Sequence, residues 1–204
     1  NGNALAASAG GTALLNESEW AMIGRSVQVK PEDRRPPSAG SSESERPQAE
    51  RVIEQMDKRA EGAHPLLDRN FPYRVRIMVG GKEREPVFSG NDCYVALSEG
   101  EEYEIWVENN SGTLTVMRLL VDGLNTLPQK VESKGVATYL VGAPVSLDQA
   151  RFWILDPESA KVHAVRGFVT ETGTQGKLQK FTVVDAQKSL AARQQFTDQI
   201  GLIT

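Results

Sequence analysis

Residues 103–123 read YEIWVENNSGTLTVMRLLVDG, two apolar-rich runs joined by a turn. In the first run Tyr103, Ile105 and Val107 alternate with Glu102, Glu104, Trp106 and Glu108. Side chains of a strand alternate faces, so this period of two predicts an apolar inner face and a charged outer one. Asn109-Asn110-Ser111-Gly112 supplies turn residues that tolerate positive φ. Thr113–Val121 is apolar on both faces and predicts a strand covered on both sides. Asp122-Gly123 closes it with a second turn signal. The stretch is therefore expected to be a β-hairpin at the centre of a β-sheet domain.

Downstream and upstream the same grammar continues. Tyr73, Val75, Ile77 and Val79 alternate with Arg74, Arg76 and Met78, and Gly80-Gly81-Lys82 predicts a tight turn. Glu85–Phe88 returns, Ser89–Asp92 turns again, and Cys93–Leu97 is a further strand. Strands are also expected at Val136–Val141, Phe152–Leu155, Val162–Val169, Leu178–Val184 and Ile200–Ile203, with a short helix over Ala186–Gln195 anchored by Leu190. Short strands with turn signals every 8–12 residues argue for an all-β fold, an antiparallel β-sandwich of the jelly-roll or immunoglobulin-like kind. Residues 71–204 form that domain.

The first 70 residues differ. Residues 1–30 form an N-terminal arm that is small and polar up to Ser18. Trp20, Met22, Ile23, Val27 and Val29 then suggest a detached extended segment, with residues 19–29 the candidate donor strand. Residues 31–47, PEDRRPPSAGSSESERP, have a linker composition that buries too little apolar surface to offset ordering. Over residues 48–62, Ala49, Val52, Ile53, Met56 and Ala60 recur at helical spacing, ending at Gly62. One narrow apolar stripe is marginal as an isolated helix, so this segment must dock on something.

Chemistry is sparse. His64 and His163 are far apart, without metal-ligand spacing, and no nucleophile elbow, Walker loop or dinucleotide fingerprint occurs. Asp122, Asn125 and Asp156 sit at loop positions where turn-forming Asx residues explain them better than calcium. Cys93 is the single cysteine and reads as a small buried hydrophobe. A net charge of −4 with both signs interspersed gives no basic patch for nucleic acid. No apolar run reaches the ~18 residues of a membrane helix. No enzyme, cofactor or metal is expected.

VDGLNTL (121–127), FWILDPES (152–159), AVRGF (164–168) and SLAARQQFTDQIGLI (189–203), in that order, resemble an uncharacterised family of bacterial β-sandwich domains. The resemblance covers about residues 71–204. It implies a fold and a bacterial origin, and no established activity.

Two functions follow as expectations. In the first, the chain is an exported subunit that polymerises with copies of itself into a cell-surface filament, through strand addition by its arm. Its candidate interface is Trp20, Met22, Ile23, Val27, Val29, Val52, Ile53, Met56 and Trp106, the last an aromatic on a charged face. The small, polar start NGNALAASAGG suits a mature exported chain, placing it outside the cell. In the second, it is a monomeric cell-envelope module that binds glycan, peptide or protein through loops 124–150 and 170–177.

Overall fold

The computed structural model describes residues 5–16, 19, 22, 23, 64–133, 136–141, 151–171, 176–194 and 199–204. The described chain is predominantly antiparallel β. Its main sheet runs in the order β1 (Leu5–Leu14), β15 (Lys177–Asp185), β6 (Glu102–Asn109), β2 (Tyr73–Val79), β3 (Lys82–Arg84). Two further strands share it: β13 (Val162–Val165) pairs β6, and β14 (Gly167–Glu171) pairs β15. Four two-strand pairs complete the set. They are β4 (Pro86–Ser89) with β5 (Asp92–Val95), and β7 (Thr115–Met117) with β12 (Trp153–Leu155). The others are β8 (Leu120–Val121) with β9 (Leu124–Asn125), and β10 (Gln129–Ser133) with β11 (Val136–Leu140).

Strand β6 is central, and its predicted alternation is observed: Tyr103, Ile105, Val107 and Asn109 are buried. Ile105 faces Ile77 of β2 on one side and Val165 of β13 on the other, so three aliphatic side chains line up across one face. At the β15 end the core turns aromatic. The Tyr103 and Phe181 rings stack at 5.2 Å, and Phe168 meets Phe181 edge-on at 5.1 Å. Phe168 and Phe181 are fully buried, and each such side chain stabilises the fold by about 1.5–3 kcal/mol.

The expected hairpin is not formed. β6 pairs with β2, β13 and β15, while β7 pairs with β12. Asn109 shows why the chain leaves the sheet. Its buried amide Nδ2 donates to the carbonyls of Thr113 (2.9 Å) and Leu155 (2.8 Å). Its Oδ1 accepts from the Ser111 backbone N–H (3.0 Å) and hydroxyl (2.7 Å). The turn residues thus carry the chain across to β12 instead of folding it back on β6. The region predicted as one strand, Thr113–Val121, breaks into β7 and β8.

Other expectations are refined. Val162–Val169 divides at Arg166 into β13 and β14. The C-terminal helix reduces to a 3₁₀ turn at Ala186–Lys188 and a four-residue helix, Leu190–Arg193, capped by the Ser189 hydroxyl. Ala191 is its fully buried residue, and Leu190 packs against the core while partly buried. Ile203 makes a single bridge to Val121. The small, polar start of the arm contains the ten-residue β1. The linker 31–47 and the segment 48–62 lie outside the described residues.

The recurring short motifs are structural. Asp122 and Gly123 both hold positive φ (54° and 77°), the two-residue turn that matches the twist of a hairpin. Asp122 Oδ1 also accepts from the Gly201 N–H at 2.7 Å, fastening the C-terminal segment. Asp156 caps its own turn through Glu158 N–H. At Gly167 a Cβ would lie 2.0 Å from the Gln179 carbonyl oxygen, because β14 and β15 approach closely there. Gly167→Ala should therefore destabilise the protein by about 2–3 kcal/mol, the overpacking range, as read from the urea midpoint at unchanged slope.

Candidate functional site

The N-terminal segment closes the edge of the main sheet. β1 runs antiparallel to β15 from Leu5↔Asp185 to Leu14↔Lys177, with an irregularity between Ala9 and Thr12. The chain then turns sharply. Asn16 Oδ1 accepts from the Glu19 N–H, and Glu19 Oε2 accepts from the Asn16 N–H, both at 2.9 Å. This reciprocal pair is a capping box, which starts a helical turn (Ile23 N–H to Glu19 C=O, 3.2 Å). The turn sends Leu15 and Met22 into the core and lays Ile23 against Trp153 in a β-bridge.

Glu19 also anchors the segment. Its carboxylate is 1% exposed and takes a two-pronged bond from Arg166, Nε to Oε1 at 2.7 Å and Nη2 to Oε2 at 2.5 Å. The same Nη2 donates to the Leu14 carbonyl at 3.0 Å. The hydrogen bond to Glu19 raises the Arg166 pKa against the opposing effect of burial. Arg166 stands where β13 leaves β6 and β14 takes up β15, and its own carbonyl accepts from Phe181 N–H.

Of the predicted interface residues, Met22 and Ile23 thus lie on the chain's own domain. Trp20, Val27, Val29, Val52, Ile53 and Met56 fall outside the described residues. Of the candidate donor strand at 19–29, only Glu19, Met22 and Ile23 are described: Glu19 opens a helical turn, and Ile23 makes a single bridge to Trp153. The Asn16-x-x-Glu19 spacing was present in the sequence as a capping signal. Between β2 and β6, Arg74 stands opposite Glu108 and Arg76 opposite Trp106, with the Arg76 guanidinium 3.9 Å from the Glu108 carboxylate. Trp106 is half-buried on that outer face. Its indole N–H donates to Glu104 at 2.7 Å, and the Arg76 guanidinium lies 5.6 Å from its ring.

Two concavities flank the β2–β6 pair. A trough of about 430 Å³ with mixed polar and apolar lining borders Gly80-Gly81, where Lys180 pairs with Glu102 at 2.8 Å. The second is apolar and about 380 Å³. Ile77, Ile105 and Val107 form its floor, Cys93 and Val95 one wall, and Met117 and Leu119 another. His64, Pro65 and Leu66 stand at its edge, with Arg84, bonded to Glu101, and Arg118. Burial pushes the Cys93 thiol pKa up, which keeps it protonated. Leu124–Gln129, part of one predicted binding loop, are buried.

The histidines play structural parts. His64 Nδ1 accepts from Leu66 N–H (3.2 Å) and caps the 3₁₀ turn Pro65–Leu67. His163 is 3% exposed in β13, and burial lowers its pKa against the pull of Asp156. Among the described residues no cluster of three His, Cys, Asp or Glu could hold a metal ion. No helix among them is long and apolar enough to cross a membrane. Searches against family models, curated proteins and solved structures found no match to this chain.

Two outcomes follow. Arg166→Ala strands the buried Glu19 carboxylate and should cost about 3–5 kcal/mol, whereas Glu19→Gln keeps the cap and should cost about 1–2 kcal/mol, by chemical denaturation. For His163 the folded pKa lies below the unfolded one. The unfolded chain therefore binds the extra proton, and stability falls as pH drops through about 6.5, levelling at the depressed folded value. His163→Leu should lose less stability than the parent between pH 7.5 and pH 5.

Proposed function

We propose that the chain is a non-catalytic structural subunit, an exported β-sandwich that assembles with copies of itself by lending its N-terminal segment to a neighbour. The observation that carries this reading is the placement of residues 5–23. They supply an edge strand, two core side chains and one half of a buried ion pair, yet reach the rest of the domain only through residues 24–63. Every contact they make within one chain is equally available between two. Exchange of such a segment forms the same hydrogen bonds and buries the same surface, so the balance of closed and open forms turns on protein concentration and the reach of the connection. Head-to-tail exchange, each copy giving and receiving, generates an open filament. Strand addition draws its affinity from main-chain hydrogen bonds, and the β1–β15 ladder supplies a long run of them.

The apolar groove favours a second reading, a monomeric binding module of the cell envelope. Its size and lining match a small apolar recognition site, since such pockets are commonly about 300–1,000 Å³.

A disulfide trap separates the two. Leu15 N–H bonds the Gly176 carbonyl, which makes the adjacent Leu14/Lys177 pair non-hydrogen-bonded, with the closest side-chain approach. Leu14→Cys with Lys177→Cys, in a Cys93→Ser background, is refolded at low and high concentration and oxidised. Exchange predicts a ladder of linked oligomers on non-reducing gels that grows with concentration. Linked monomer at every concentration rejects exchange and leaves the binding module.

A further inference from the structure

The groove is a stretch of core that the described residues leave open. Its floor is the inner face of the two most central strands, and the apolar side chains around it remain partly exposed: Phe71 at 36%, Val75 at 37% and Ile203 at 40%. A soluble domain rarely leaves an apolar concavity of this kind without an occupant.

We propose that its occupant is residues 48–61 of the same chain, with Val52, Ile53 and Met56 as the inserted side chains. Connectivity is the first support. Gly62-Ala63 runs directly into His64-Pro65-Leu66, which stand at the groove's edge. His64 is fixed there, its ring 5.5 Å from Phe88, whose register partner is Cys93 of the groove wall. Position 56 lies eight residues upstream, a reach of about 12 Å along a helix and about 28 Å if extended. That tether holds the segment beside its own groove at a high effective concentration, which favours it over any other copy.

The sequence pattern is the second. At 100° per residue the stripe Val52, Ile53 and Met56 forms one face, with Glu54, Asp57 and Glu61 along one flank and Arg51, Lys58 and Arg59 along the other. The groove offers an apolar floor of Ile77, Ile105 and Val107, which suits the apolar stripe. A stripe this narrow gains its stability only by burial. The inference stands apart from strand exchange, because it concerns a different segment and a different face.

The native Cys93 reports on it. Met56→Cys, at dilute concentration under mild oxidation, should yield an intramolecular link to Cys93, seen as faster migration on a non-reducing gel with both thiols lost. Lys58→Cys, on the opposite face, should not link. In an independent measurement, Val52→Asp with Met56→Asp should raise the rate at which Cys93 reacts with a soluble disulfide reagent by about tenfold. Equal linking from positions 56 and 58, a link only between molecules, or unchanged Cys93 reactivity would each overturn the proposal. A link between molecules would assign the groove to a second copy.

Discussion

The Glu19–Arg166 pair is the constraint on which the arrangement of the molecule depends. Arg166 occupies the residue where the chain steps from one strand partner to another, its carbonyl committed to Phe181. Its side chain cannot satisfy five donors from the sheet itself and reaches out to Glu19 and the Leu14 carbonyl. Glu19, in turn, is fully enclosed and closes a capping box with Asn16. A sheet junction, an edge strand and a helical turn are thereby held by one guanidinium. Replacing such a pair by apolar side chains can be neutral in stability, so its main contribution here is to select one docking geometry for a segment that would otherwise slide.

That selection matters because β1 carries little specification of its own. LAASAGGTAL has no strict alternation, no aromatic residue and two adjacent glycines, and its pairing shifts register beside them. Register in such strands is weakly set by side chains. Leu15 and Met22, just beyond β1, are buried in the core.

The same facts explain what the sequence revealed and what it hid. Strands whose neighbours bury one face announce themselves: Tyr73–Val79 and Glu102–Asn109 alternate, and Trp153–Leu155 is a short apolar run. Turns were equally legible, since Asp122-Gly123 and Gly80-Gly81 need positive φ. The partner of each strand was not. Asn109 resembles an ordinary turn residue, and only its enclosure beside Leu155 makes it the point where the chain changes partners. β1 escaped notice because small residues give no period. Arg166 stood in the AVRGF motif, but its partner Glu19 lies 147 residues away, and no local pattern joins the two. The apolar groove combines residues from seven separate stretches of chain, and no local pattern encodes such a convergence.

The long separation of β1 from β15 has a consequence for how the protein comes to be made. Leu5 pairs with Asp185, so β1 leaves a ribosome 180 residues ahead of its partner. At about 5–20 residues per second, that interval is on the order of ten seconds or more. Contacts of such span carry a heavy loop-closure cost and slow the folding of the chain. During that time the nascent molecule holds the uncharged β1 without the strand that will pair it. β1 can therefore join the sheet only after β15, its partner, has been made.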